Sequence, residues 1–296
     1  MASQTLFDLE LAACRKIGVV TFGISSNGSS ITLNDRTESS AHSDDQFNGG
    51  SIFFIESSQA EIQGQAKRIL DYDASSGQYT FSTFTSEVKT GTKYGVVTPE
   101  FNLQLLEQLA NDALRAVGPL VYSDRSMQTS GAQTVYTMST LIGRSRPFQV
   151  DIMSRAGSSA DDPEWFELHG WHIEPSSEGV AQKIVFPRFL PQGRDIRIIF
   201  ERDHYTVANS THLIDARIHP ELAIASMVDK MYEYRNSRSR GAQDFDVQRW
   251  NDAKSQLSEA RVRWPIWKPH KRAKTVRISD NGSYGDNFAP PWGAIE

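Results

Sequence analysis

Histidines and carboxylates close together in sequence are the usual makings of a metal site, and the nearest such set here is His169-x-x-His172. Two ligands three apart share one face of a helix. The surrounding run, Trp165–Ile173, alternates instead like a strand, where odd spacing sends the pair to opposite faces. His204, His212 and His219 are scattered over a loop and a helix start, and there is no H-E-x-x-H. Asp71-x-Asp73-x-Ser75-x-Gly77 has the outline of a calcium loop. A helix-flanked calcium loop needs its glycine one place earlier and a glutamate at the twelfth position. Here Phe81 and Thr83 fall in a strand, so a β-hairpin turn is the better reading. Cys14 is the sole cysteine. It lies beside Ala12 and Ala13 in a helix and reads as buried filler, because a reactive thiol needs a base and an electropositive setting.

Nucleotide and nucleophile motifs are missing. There is no G-x-x-x-x-G-K-[ST], no G-x-G-x-x-G and no G-x-S-x-G, and Gly91-Thr92-Lys93 lacks the glycine that begins a phosphate loop. Glu164, Glu167 and Glu174 leave a carboxylate hydrolase open, since paired carboxylates can come from distant parts of a chain. Trp165 and Trp171 leave open a sugar-stacking platform, with burial in a sandwich as the competing role. The expectation is a protein without catalytic residues, metal or cofactor, whose work is adhesion.

The 296 residues fit one large or two modest domains. A net charge of −5 does not point to nucleic acid or membrane. One cysteine allows no intrachain disulfide, and the N-terminus has no basic region followed by an apolar run. No apolar stretch approaches the ~20 residues that span a bilayer. The expected setting is reducing and aqueous. Asn27-Gly28-Ser29, Asn209-Ser210-Thr211 and Asn281-Gly282-Ser283 then match the glycosylation pattern by chance.

Elements follow from periodicity. Residues 1–17 hold a helix, with Leu6, Leu9, Ala13 and Ile17 near one face. Residues 18–98 alternate short β-prone runs (Val19–Ile24, Ser30–Leu33, Ser51–Ile55, Gln65–Leu70, Gln78–Ser82, Lys93–Val97) with Gly, Asn, Asp and Ser turns, as in an antiparallel sandwich or barrel. Thr98 as cap and Pro99 at the first helical position predict a helix over 99–118. Residues 119–214 form a second β-rich region, with runs at Thr134–Met138, Pro147–Ile152, Trp165–Ile173, Val180–Phe186 and Asp195–Glu201. The last two are expected to pair as a hairpin broken by Pro187, Pro191 and Gly193. Residues 215–263 read as an antiparallel helical hairpin. The whole is α+β.

Residues 264–296 show neither period. Four prolines alternate with Trp264, Trp267, Phe288 and Trp292. Such a segment has no core of its own, yet exposed indoles are costly, and an extended arm docked on a neighbour satisfies both facts. Arg261, Arg263, Lys268, Lys271, Arg272, Lys274 and Arg277 follow one another with no intervening acid. That run attracts an anionic partner, and an acidic protein surface suits its interleaved Trp and Pro better than nucleic acid does.

Residues 18–118 carry a specific order. A Gly/Ser/Thr opening (Ser25-Ser26-Asn27-Gly28-Ser29-Ser30) precedes Gly49-Gly50-Ser51-Ile52-Phe53-Phe54-Ile55. Gly64–Leu70 then leads into the Asp71–Gly77 turn, Tyr79-Thr80-Phe81-Ser82, Gly91-Thr92-Lys93-Tyr94, Pro99 and an Asn/Ala/Leu helix. This order resembles a β module of virion proteins at the neck and tail of tailed bacteriophages. The pair Pro220–Arg235 and Asp246–Arg263 is similar to the terminal helical hairpin of phage head-to-tail adaptors. Residues 120–205 match nothing in those minimal helical adaptors. The resemblance implies a structural virion protein, assembled in the bacterial cytoplasm, that forms a closed ring, commonly of twelve subunits. The ring sits under the portal protein and carries the next neck or tail protein, with DNA only as cargo in the channel and no membrane. It implies that Arg263, Trp264, Trp267, Lys268, Lys271, Arg272, Lys274, Arg277, Phe288 and Trp292 belong to a partner-docking arm. Tyr232, Tyr234 and Trp250 are the expected ring contacts.

Overall fold

The computed structural model describes residues 4–37, 42–140, 142, 145, 147–154, 164–174, 182–238 and 244–267. The described residues form an α+β arrangement of four α-helices and antiparallel sheets. Helix α1 (Leu6–Ile17) starts at a reciprocal cap: the Thr5 hydroxyl accepts the Asp8 N–H, and the Asp8 carboxylate accepts the Thr5 N–H. It stops at Gly18, whose φ of 74° is the left-handed conformation that glycine adopts without strain.

The next seven strands form one sheet: β1 (Val20–Ile24), β2 (Asn27–Gly28), β3 (Thr32–Asn34), β4 (Ser51–Glu56), β5 (Gln65–Asp73), β6 (Gln78–Phe81) and β7 (Lys93–Val97), ordered β1-β7-β4-β5-β6-β3-β2. Its two end strands are consecutive in the chain, separated by Ser25 and Ser26. The Ser25 N–H donates to the Thr92 carbonyl at one end and the Ser26 N–H to the Asn34 carbonyl at the other. Alternation along β4 puts Ile52 and Phe54 among Leu33, Tyr72, Tyr79 and Phe81, while Phe53 turns to the helices. A strand buried on both faces reads as a continuous apolar run, as this one does.

Pro99 does not begin the second helix. Pro99–Phe101 is a single 3-10 turn that buries Phe101, and Thr98 makes no side-chain cap. Helix α2 (Leu103–Val117) starts instead at Asn102, whose side chain accepts the Leu105 N–H. Asparagine is among the strongest caps, and the turn before it lets Phe101 reach the core.

The second β region holds two sheets. One orders β11 (Trp165–Glu167), β10 (Pro147–Met153), β14 (Asp195–Arg202) and β8 (Leu120–Gln128). The other orders β12 (His172–Glu174), β13 (Lys183–Val185) and β9 (Val135–Thr137). Two expectations are corrected. Trp165–Ile173 is not one strand: it breaks at Gly170 (φ 78°), and its halves enter different sheets. The β13–β14 pair is not a hairpin, since β13 pairs with β9 and β12 while β14 lies between β10 and β8.

Helix α3 (Pro220–Arg238) is the hub. Leu222, Ala223, Ala225, Met227, Val228 and Met231 are buried around its circumference by α1, α2 and α4 (Asp244–Arg263), and the Ser226 hydroxyl donates to the Ala113 carbonyl of α2. Helix α4 packs antiparallel to α3, with Trp250 against Asp229 and Trp264 against Glu221. Together they form the hairpin that the sequence indicates.

Candidate functional site

Helix α4 is held by a narrow strip. Ala253 and Leu257 are its buried side chains among those described, and Val262 and Trp267 are 83% and 70% exposed. Beside the strip run two adjoining clefts of about 440 and 430 Å³ that share Lys16 and Gln256. One wall is the C-terminal half of α1, the other is α4, and α3 is the floor, with Ile224, Val228 and Tyr232. Lys16, Arg249 and Arg263 stand around it, faced by Glu221, Asp252 and Glu259.

The three expected ring contacts have partners within the chain. Tyr232 is buried in the helical core. Tyr234 packs against Phe101, ring centroids 6.1 Å apart, with the Arg238 guanidinium 5.0 Å over its ring. Trp250 donates its indole N–H to Asp229 (3.0 Å) and carries the Lys254 ammonium 3.5 Å from its ring centre. The arm divides. Trp264 stacks on His219 and donates to Glu221, and Arg263 lies 4.0 Å from the same carboxylate, so these two belong to the hairpin's closure. Trp267 projects outward. Lys268, Lys271, Arg272, Lys274, Arg277, Phe288 and Trp292 lie outside the described residues.

Several ionisable clusters are tied into the fold. Asp215 accepts from the Tyr122 hydroxyl (3.0 Å) and from both Nε and Nη2 of Arg217 (2.9 and 3.0 Å). Burial opposes its charge, but the Arg217 donors and Tyr122 hold its carboxyl below the usual range. His204 donates from Nδ1 to the Tyr205 carbonyl and accepts the Asp215 N–H at Nε2 (3.0 Å), which fixes a neutral tautomer; burial lowers its pKa. Every polar position in this knot is occupied within the chain, so it fastens β8 to the start of α3.

Asp35 is a second knot. It accepts from the Ile24 N–H (3.1 Å), from the Thr37 N–H and hydroxyl (2.9 and 2.6 Å), and from the Tyr94 hydroxyl (2.9 Å). Burial raises its pKa, and those donors more than reverse the effect. Gly23 is required beside it: a Cβ there would sit 2.4 Å from the Tyr94 oxygen and 2.6 Å from Asp35 Oδ2.

The remaining candidates lie apart. His169 stands in the loop between β11 and β12, 3.7 Å from Glu167, while His172 is on β12. Glu164, Glu167 and Glu174 are exposed, and the last two are on different sheets. The Asp71–Gly77 stretch is the β5–β6 turn, with Gly77 at φ 62° and Asp73 accepting from Ser75 and Ser76. Among the described residues no group of three or more His, Cys, Asp or Glu side chains could hold a metal ion. Trp165 lies under two guanidiniums, Arg197 at 4.6 Å and Arg125 at 5.4 Å, and Trp171 donates to the Leu168 carbonyl while packing on the second β core.

Sequence reasoning missed Glu10. It is fully buried on the α1 face with Cys14, and neither carboxylate oxygen has a hydrogen-bond partner. Burial, and then the nearby charge of Glu107, pushes its pKa well up. Burial likewise raises the Cys14 thiol far above its ordinary value, which suppresses the thiolate. No helix among the described residues is long and apolar enough to cross a membrane. No protein-family model, curated protein or solved structure matches this chain.

Proposed function

We propose that this chain is a structural virion protein of a tailed phage, a head-to-tail adaptor. In this reading it assembles into a closed ring under the portal and joins the portal to the next neck or tail protein. The observation that carries the reading is α4: a 20-residue helix anchored to α3 along one strip, with most of its other described side chains exposed, leading directly into the basic, tryptophan-bearing C-terminal segment. A helix so open in the monomer has surface left to bury against another subunit. The first sheet serves as a barrel-like module and the second β region as a further one. Both hang from the helical hub and leave α4 clear.

Adhesion is then the protein's physical work. Apolar burial joins the subunits, and Lys268 to Arg277 meets an acidic surface of the portal. DNA passes through the channel as cargo, and no cofactor takes part. The site of action is the virion neck. Cryo-electron microscopy of assembled particles tests this directly. The expected density is a closed ring beneath the portal, commonly of twelve copies, with residues 264–296 threaded against a neighbouring chain. A fibre, or any position off the head–tail axis, refutes it.

A further inference from the structure

We infer that α1 is a proton-operated clasp: when Glu10 gives up its proton, residues 10–17 open from α2 and α3 while the first turn of the helix stays attached. The inference stands apart from the ring reading. Glu10 is fully buried on the face of α1 that packs on α2 and α3, and neither carboxylate oxygen has a hydrogen-bond donor. Protonated, it is a polar side chain in an apolar core. Ionised, it is a buried charge without a partner, which a closed core opposes strongly. The elements around it offer no cation. From α2 it meets Glu107, whose charge opposes a second one, while Asp112 and Arg115 of that helix lie 3.8 Å from each other. The charged side chains of α3 are engaged elsewhere: Glu221 by Trp264, Asp229 by Trp250, Lys230 by Glu233, Arg235 by Glu100, and Arg238 over Tyr234. Tyr232 of α3 lines the cleft toward α4. Strand β1 has no titratable residue, and on β4, met through Phe7 and Phe53, Glu56 pairs with Lys93. His212 of the adjoining loop accepts the Ala208 N–H. On α1 itself Asp8 caps the start, Arg15 lies over Phe22, Lys16 lines the clefts, and Cys14 is a neutral thiol.

The backbone confines the opening to the second half of α1. Its first turn is pinned: the Leu6 N–H donates to the His212 carbonyl (2.9 Å), the Phe7 N–H to the Ser210 carbonyl (3.0 Å), and the Gln4 carbonyl accepts the Ile214 N–H (2.8 Å). That end also buries Leu6, Phe7 and Leu9, whereas the one large buried apolar side chain of residues 10–17 is Ile17, beside Ala13 and Cys14. The far end turns at Gly18, with nothing but its chain neighbours within 4 Å of a Cβ position, so the turn has room to move. Local opening of this kind draws on the part of a helix with the least apolar burial. Burial, and then Glu107, hold the Glu10 proton on well above the ordinary 4.5. The closed form is therefore at full strength below that value and loses it as pH rises toward the folded one, the open population growing about tenfold per pH unit across the window. Cys14, the sole cysteine, is fully buried on the same face one turn on, and is uncovered with Glu10.

The test labels Cys14 of the full-length protein with N-ethylmaleimide between about pH 5 and 8, at reagent concentrations low enough that closing outruns labelling. The native protein is compared with Glu10→Gln, which keeps the shape and has no proton to lose. Both share the ordinary rise of thiol reactivity with pH, so the ratio of their rates isolates Glu10. The expected ratio climbs about tenfold per pH unit and then levels off. Amide exchange on the same samples should deprotect residues 10–17 and leave β4 and β7 protected. Glu107→Gln removes the opposing charge, so its labelling should level off at a lower pH and a lower rate than the native protein's. A ratio that stays flat with pH overturns the clasp. Labelling that rises together with exchange across the whole chain overturns it too, because that is global unfolding. Should Glu10→Gln not fold, the Glu107→Gln profile decides alone, and one that coincides with the native profile overturns it.

Discussion

The Trp264 indole lies flat on the His219 imidazole, ring centroids 3.5 Å apart and planes 4° from parallel. Its N–H donates to Glu221 at 3.0 Å. The last turn of α4 is thereby fastened to the first turn of α3, and the direction in which the C-terminal arm departs is set by the core rather than by the arm. Aromatic pairs are worth about 0.5–1.5 kcal/mol beyond burial. Trp264→Ala should therefore raise amide exchange over residues 258–266 by roughly 2- to 10-fold, with β-sheet amides unchanged. Exchange measured by mass spectrometry checks this; uniform loss of protection across the chain would show that Trp264 supports the whole fold instead.

The Asp35 knot makes a prediction with a definite sign in pH. Its carboxyl titrates below its ordinary 3.8 in the folded protein. The stabilisation is therefore complete above the unfolded value and is lost as pH falls through the folded one. Asp35→Asn should flatten the acid limb of the stability curve as well as lower the plateau. Tyr94→Phe removes one donor to a charged acceptor and should cost about 1.5–3 kcal/mol. Urea unfolding at several pH values measures both.

Local elements were legible where one side of an element decides its pattern. Leu6, Leu9, Ala13 and Ile17 trace the buried stripe of α1, and all six β-prone runs before Pro99 overlap the observed strands within a few residues. Even the hairpin at Asp71–Gly77 was readable from its turn chemistry. Competing signals caused the misses. Pro99 is a helix-start signal, but Asn102 caps better and Phe101 needs the intervening turn. Pro265 and Pro269 drew Trp264 into the arm, whereas a long-range partner, His219, keeps it on the hairpin. The groove was not legible at all, because its walls come from opposite ends of the sequence and meet only across α3.

Glu10 sets an opposite pH trend. A carboxyl whose folded pKa stands above its unfolded 4.5 adds stability that is complete below that value and is lost as pH rises through the folded one. Glu10→Met keeps similar bulk and removes two unpartnered oxygens. It should stabilise the protein by about 1–3 kcal/mol, with the gap to the native protein widening as pH rises above 4.5. A gap that narrows with rising pH would mean that Glu10 gains a partner when ionised.

Trp165 separates adhesion between proteins from adhesion to glycans. A sugar platform needs a free aromatic face, and Arg197 and Arg125 both lie over this ring. Arg197 is itself fixed: its Nε and Nη2 donate to Asp151 at 2.9 and 2.6 Å, and Asp151 is buried. Moving that guanidinium aside to admit a sugar would strip a buried carboxylate of its charged partner and leave it the Gln149 amide, which is strongly destabilising. Trp165→Ala should therefore cost about 0.5–2 kcal/mol of stability through the lost cation–π contacts and change no glycan binding. Thermal unfolding together with a glycan array, run on the native protein and the variant, tests the pair of expectations. Saturable glycan binding that disappears with Trp165→Ala would mean that the guanidiniums yield to a ligand and would assign this face to carbohydrate.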